Sequence, residues 1–201
     1  MKVVIGYPPF DSPKGRAFLA QNRQFQWGHT PWTAYPMVPA YAATLLKEAG
    51  YEVYWLDGIW GGQNYAQWEE ELFEINPDIL MIETKTPVVK AHWKIIDRLK
   101  RFCPAEDESP KGKSRPIPQS PTLKKSQESD SFPRPTLGGS DSGELRKNLK
   151  IVLVGDHVTA LPEESMENCP VDYILTGGDY DFLLLNLCNH LTKGEKLEPG
   201  V

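Results

Sequence analysis

Short, almost wholly apolar runs recur along this chain, and an amphipathic stretch trails most of them. Lys2–Gly6 (KVVIG), Asp78–Glu83 (DILMIE) and Lys150–Gly155 (KIVLVG) carry apolar residues at consecutive positions. A strand of that kind hides both faces, which requires helices above and below a parallel sheet. Glu52–Ile59 (EVYWLDGI) and Val171–Leu175 (VDYIL) read as two further strands. The spacing predicts helices over Val38–Ala49, Ala66–Ile75, Val88–Phe102, Pro162–Glu167 and Asp179–Leu191. Pro39 near the start of the first helix and Gly50 just past its end fit the usual capping asymmetry. Asn76-Pro77 stops the second.

One stretch breaks the alternation. Residues 104–147 hold 7 Pro, 8 Ser and 4 Gly, with 8 basic against 7 acidic side chains and no apolar period. Such a composition buries too little apolar surface to offset chain entropy. The expectation is a disordered insertion within one domain built from 1–103 and 148–201. A phosphorylated or partner-binding tether is the alternative for this Ser-Pro-rich stretch. The fold expected for five strand–helix units is α/β: a Rossmann-like, flavodoxin-like, doubly wound five-stranded parallel sheet. Its ligands would lie beyond the carboxyl ends of the strands. The insertion joins the third helix to the fourth strand, at the opposite end.

Composition narrows the function classes. A net charge of -5 argues against a nucleic-acid surface. No run approaches the roughly 18 apolar residues of a membrane span. The apolar run after Lys2 is too short for a secretory signal. Three scattered cysteines, Cys103, Cys169 and Cys188, form no disulfide framework and point to a reducing, cytoplasmic compartment. The chain has no G-x-x-x-x-G-K-[ST] loop, no G-x-G-x-x-G after its first strand and no G-x-S-x-G elbow. His29, His92, His157 and His190 lack the spacing of a zinc site.

The expected strand ends carry small, polar and acidic residues. They are Tyr7-Pro8-Pro9-Phe10 with Asp11 and Gly15, Asp57-Gly58, Glu83-Thr84-Lys85-Thr86, Gly155-Asp156-His157-Val158-Thr159 and Thr176-Gly177-Gly178-Asp179-Tyr180-Asp181. Two readings apply to each. The plain one is a turn or helix cap, with Asp179 an N-cap, Asp57-Gly58 a turn, and Glu83 paired with Lys85. The other is ligand contact, glycines letting a large flat molecule approach the backbone. His157 either satisfies a loop or touches a ligand. The first loop is long and aromatic, with Phe18, Phe25, Trp27, Trp32 and Tyr35. It would form a lid, a docking face or a ligand wall.

VLVGDHVTALPEES and VDYILTGGDYDF, together with MKVVIGYPPF, the stretch VPA…LKEAGYEV and the closing EPGV, resemble the N-terminal cobalamin-binding domain of B12-dependent radical SAM proteins. The resemblance spans the chain except the insertion. It implies a cobalamin-binding module whose contacts are Tyr7, Pro8, Pro9, Glu83, Thr84, Gly155, Asp156, His157, Val158, Thr159, Gly177, Gly178 and Asp179. The family's catalytic half carries a C-x-x-x-C-x-x-C cluster motif, which this sequence lacks. S-adenosylmethionine and the 4Fe-4S cluster would therefore belong to a separate or missing half, reached through residues 18–35. The chain would then be a truncated product, an excised domain or a separate subunit, without a complete catalytic site of its own. The methionine synthase type of domain places Asp-x-His-x-x-Gly after its first strand. Asp11-Ser12-Pro13-Lys14-Gly15 stands here instead, so cobalamin would bind base-off, with no His ligand. The alternatives are a cobalamin-free docking domain for a radical SAM partner, and a stand-alone enzyme using Asp156, His157 and Glu83 as acid–base groups.

Overall fold

The structure, a computed structural model, describes residues 1–10, 12, 15–17, 27–28, 35–102 and 149–197. The expected insertion, 104–147, and most of the aromatic loop lie outside the described residues. So do Asp11, Pro13 and Lys14.

In chain order the elements are β1 (Lys2–Tyr7), β2 (Arg16–Ala17), β3 (Trp27–Gly28), α1 (Met37–Glu48), β4 (Glu52–Asp57), α2 (Tyr65–Ile75) and β5 (Ile79–Glu83). They continue with α3 (Val89–Phe102), β6 (Lys150–Val154), α4 (Asp156–Ala160), α5 (Pro162–Asn168), β7 (Tyr173–Leu175) and α6 (Tyr180–Lys193). β2 and β3 form a two-residue antiparallel rung. The other five strands make one sheet of order β4-β1-β5-β6-β7. Every pairing in it is parallel, with Val3 opposite both Val53 and Ile79, Ile79 opposite Lys150 and Val152 opposite Tyr173. Counted within the sheet, the order is 2-1-3-4-5, the flavodoxin-like arrangement.

Side chains alternate across the strands and give the sheet two cores. Val4, Leu80, Ile82, Ile151 and Leu153 pack under α2 and α3 with Trp68, Leu72, Ile95, Ile96 and Leu99. Val3, Ile5, Met81, Val152 and Val154 pack under α1 and α6 with Ala42, Leu46, Leu184 and Leu187. The three central strands read as unbroken apolar runs because both of these faces are covered.

Helix α2 begins where its sequence says it should. Asn64 Oδ1 accepts the Gln67 amide at 3.0 Å, and Gln67 Oε1 accepts the Asn64 amide at 3.0 Å. This reciprocal box satisfies two N–H groups that would otherwise point at solvent. We expect Asn64→Ala to cost about 1 kcal/mol in urea denaturation. Asn64→Asp should recover most of it.

Some boundaries depart from expectation. β4 ends at Asp57 rather than Ile59, because Asp57 Oδ1 accepts the Trp60 amide at 2.8 Å and turns the chain. β7 starts at Tyr173 rather than Val171. Asp172 Oδ2 accepts the Ile151 amide at 2.7 Å, which ties the chain to the start of β6 first. The stretch after β6, expected as a loop, contains the five-residue helix α4. No helix among the described residues is long and apolar enough to cross a membrane.

Candidate functional site

Strand order reverses between β1 and β5, and the carboxyl ends of these strands open the crevice where such sheets bind ligands. Residues Tyr7 and Glu83 end the two strands. Tyr7 Oη donates to Glu83 Oε2 at 2.9 Å, directly across the crevice. Both are nearly inaccessible, at 3% and 5% exposure. Burial pushes the Glu83 carboxyl up to about 7, and Asp156 adds to the rise, while the Tyr7 hydroxyl and Lys85 oppose it. Burial and the neighbouring Glu83 also hold the Tyr7 phenol well above its ordinary range. Asp57 is raised by burial too.

The residues around this pair close the floor. Pro8 and Pro9 are buried, and Pro9 presses on Gly58, where an added Cβ would stand 2.6 Å from the proline ring. Thr84 is buried, its amide donating to Val154 O at 2.8 Å. Gly155 has φ 111° and ψ -174°, a region that essentially only glycine occupies. A Cβ there would stand 2.4 Å from Thr84 O. Close chain packing accounts for this glycine without any ligand. Val158 is part of the core under α3.

Two histidines flank the floor. His92, on α3, is fully buried; its Nδ1 lies 2.8 Å from Thr84 Oγ1, and the Phe10 ring meets it edge-on at 5.5 Å. Burial drives its pKa down to about 3, so the ring is neutral. His157, on α4, is 3% exposed, with Nδ1 3.2 Å from Thr86 Oγ1 and its ring 6.0 Å from that of Trp93. The Nε2 atoms of both rings are buried and make no hydrogen bond. Glu164 Oε2 lies 3.4 Å from that of His157. A buried ring nitrogen without a partner is uncommon, and its cost invites a functional reason.

Beyond the floor lies an accessible rim. Thr159 is exposed on α4, and its hydroxyl ties that helix to the segment after β7: it donates to Gly155 O at 2.8 Å and accepts the Gly177 amide at 3.0 Å. Gly177, at φ 96°, and Gly178 have open space where a Cβ would project. Asp179 is exposed at the N-cap of α6 without making a side-chain capping bond. Asp156 is half-buried at the start of α4. The thirteen candidate residues thus gather at one edge of the sheet in two layers. Tyr7, Pro8, Pro9, Glu83, Thr84, Gly155, His157 and Val158 form the floor. Asp156, Thr159, Gly177, Gly178 and Asp179 form the rim.

Sequence reasoning placed Lys85, Thr86 and Tyr180 at the strand ends without taking them as ligand contacts, and it passed over His92. The one available signal for His92 was its place on the apolar stripe of α3, beside Trp93 and in step with Val89 and Ile96. A polar ring on such a stripe is buried and needs a partner.

The acid–base possibilities are narrow. Cys169 and Cys188 are buried, and burial pushes their thiols up to about 11 and about 12, away from nucleophilic form. Among the described residues no group of three or more His, Cys, Asp or Glu is arranged to hold a metal ion. What the rim offers is a surface without side-chain bulk, edged by hydroxyl and carboxylate groups. No family model, no curated protein and no solved structure matches the chain.

Proposed function

We propose that this chain is a cobalamin-binding module that serves a radical SAM catalytic domain or subunit. The observation that carries the reading is the junction at Thr159. Its hydroxyl joins helix α4 to Gly177, and these are the two segments whose sequences resemble the cobalamin-binding domains. Beside the junction, Gly177 and Gly178 leave the space a corrin edge needs, which a Cβ at either would enter. In this reading Thr159, Asp156 and Asp179 would hold the polar edge of cobalamin, and the Gly177-Gly178 backbone would leave room for it. The base-off form without a His ligand rests, in this reading, on the first loop, where Asp11-Ser12-Pro13-Lys14-Gly15 offers no histidine. Cobalamin, when bound, supplies the centre for methyl or alkyl transfer. The chain's own residues bind and orient it, and the cluster chemistry belongs to the partner.

The test is a UV-visible titration of the purified chain with hydroxocobalamin and methylcobalamin at neutral pH. Saturable binding with a base-off spectrum is the expected result, and His157→Ala should leave that spectrum base-off. Gly178→Leu should weaken binding at least tenfold, since its side chain enters space now open. Circular dichroism checks that this variant remains folded. A folded wild-type chain that leaves the cobalamin spectrum unchanged far above micromolar concentration would sink the proposal.

One observation favours a second reading. Eight of the thirteen candidate contacts are buried beneath the rim, and large aromatics are exposed elsewhere, including Trp60 at 68% and Tyr35 at 73%. A cobalamin-free domain that docks onto a radical SAM partner would look like this. The same titration, with no binding, would favour it.

A further inference from the structure

The Tyr7–Glu83 bond joins the carboxyl ends of the two strands on either side of the switch point. Every element around it contributes a titratable or charged group. Tyr7 comes from β1, and Asp57, at the end of β4, acts on it. Lys85 follows β5 and favours the charged carboxylate; Asp156 opens α4 and opposes it. Tyr180 opens α6, and its hydroxyl feels Glu83, Asp181 and Asp156. Glu83 itself is 5% exposed, and its Cγ lies 3.4 Å from where a Cβ on Gly155 would stand. An ionised Glu83 therefore has one phenol, Lys85 and little solvent to stabilise it, and water would serve it better.

We infer that the Tyr7–Glu83 pair is a proton-linked latch between β1 and β5: the closed floor holds a proton on the carboxyl, and opening the floor to water releases it to solvent. The sign follows from the two environments. The closed carboxyl titrates near 7, and a solvated one in the ordinary glutamate range. The closed state is fully favoured below the solvated value. It loses ground tenfold per pH unit as pH rises toward 7, and the loss levels off above that. The Tyr7 hydrogen bond favours the ionised form, so its removal should push the midpoint higher still. The latch requires no ligand and stands apart from the cobalamin reading, though it acts on the floor of the same crevice.

Two amides report on the latch. Gly58 N donates to Tyr7 O at 3.1 Å, and Thr84 N donates to Val154 O at 2.8 Å. Two others sit at the opposite end of the sheet: Asp78 N on Lys2 O at 3.0 Å and Lys150 N on Asp78 O at 2.8 Å. The experiment is hydrogen–deuterium exchange of the full chain, without ligand, from pH 5 to 8.5, corrected for the intrinsic pH dependence of exchange. We expect protection at Gly58 and Thr84 to fall about fortyfold between pH 5 and 7 and then level. Protection at Asp78 and Lys150 should fall less. Glu83→Gln should abolish the difference, and Tyr7→Phe should move its midpoint upward. Carboxyl-region NMR of the wild type should show one glutamate titrating near 7. Equal changes at both ends of the sheet would overturn the latch, because the proton would then be linked to global unfolding alone. A Glu83 carboxyl titrating in the ordinary range, or the same pH profile in Glu83→Gln, would also overturn it. None of these outcomes bears on cobalamin binding, which the titration above decides.

Discussion

Gly155→Ala should cost the domain about 4 kcal/mol, a large share of the stability of a chain of this size. Two terms add. The backbone at φ 111° and ψ -174° lies where a residue with a Cβ is strained by about 1–3 kcal/mol. The new methyl would also stand 2.4 Å from Thr84 O and 3.3 Å from Thr84 N. Neither atom can retreat cheaply, because the Thr84 amide is already bonded to Val154 O at 2.8 Å. Overpacking against such a rigid neighbour costs about 1–3 kcal/mol more. The midpoint of urea unfolding reads the effect directly. Gly178→Ala is the matched control: its Cβ projects into open space, so the midpoint should stay within about 0.5 kcal/mol of wild type. Equal midpoints for wild type and Gly155→Ala would mean that the β5 and β6 ends are not packed as described.

Trp68→Ala should cost about 3–5 kcal/mol. The indole is fully buried under β1 and β4, and its Nε1 donates to Leu56 O at 3.1 Å. Two glycines are shaped around it. A Cβ on Gly58 would stand 2.7 Å from its Cδ1, and one on Gly6 would stand 3.3 Å from its Cζ2. Truncation leaves a cavity that these backbone segments cannot fill, and leaves the Leu56 carbonyl without its donor. Thermal unfolding followed by circular dichroism measures the loss. Trp60→Ala removes the same side chain from a site 68% exposed and should change stability by no more than about 0.5 kcal/mol. Similar losses for the two variants would contradict the burial described for Trp68.

The fold was legible because it rests on local period. VVI, ILMI and IVLV are continuous apolar runs, and only strands covered on both faces accommodate them. The helices between them announce themselves by their stripes and their ends, as Asn76-Pro77 does for α2. Where the reading slipped, a single side chain had redirected the backbone. Asp172 bonds the Ile151 amide and shortens β7; Asp57 bonds the Trp60 amide and ends β4. Helix α4 escaped notice because five residues hold little more than one turn, too few for a period to register.

The candidate site was legible as an edge and no further. Residues after each strand must gather at the carboxyl end of a parallel sheet, so Tyr7, Glu83, His157 and Gly177 were certain to be near one another once the order was 2-1-3-4-5. Which of them face solvent was not written in their types. Glycine at 155 and glycine at 177 look alike in a sequence and both take positive φ. One is filled by the Thr84 backbone and the other faces open space.

The sequence by itself determined the alternation of strand and helix and the kinds of residue available at the strand ends. These depend on propensity, period and capping within about ten residues of chain. The tertiary structure alone decided the floor and the rim, the bond from Tyr7 to Glu83 and the burial that lifts the Glu83 carboxyl. Those depend on distances between segments some seventy positions apart, and on the solvent that packing removes. No local pattern encodes either.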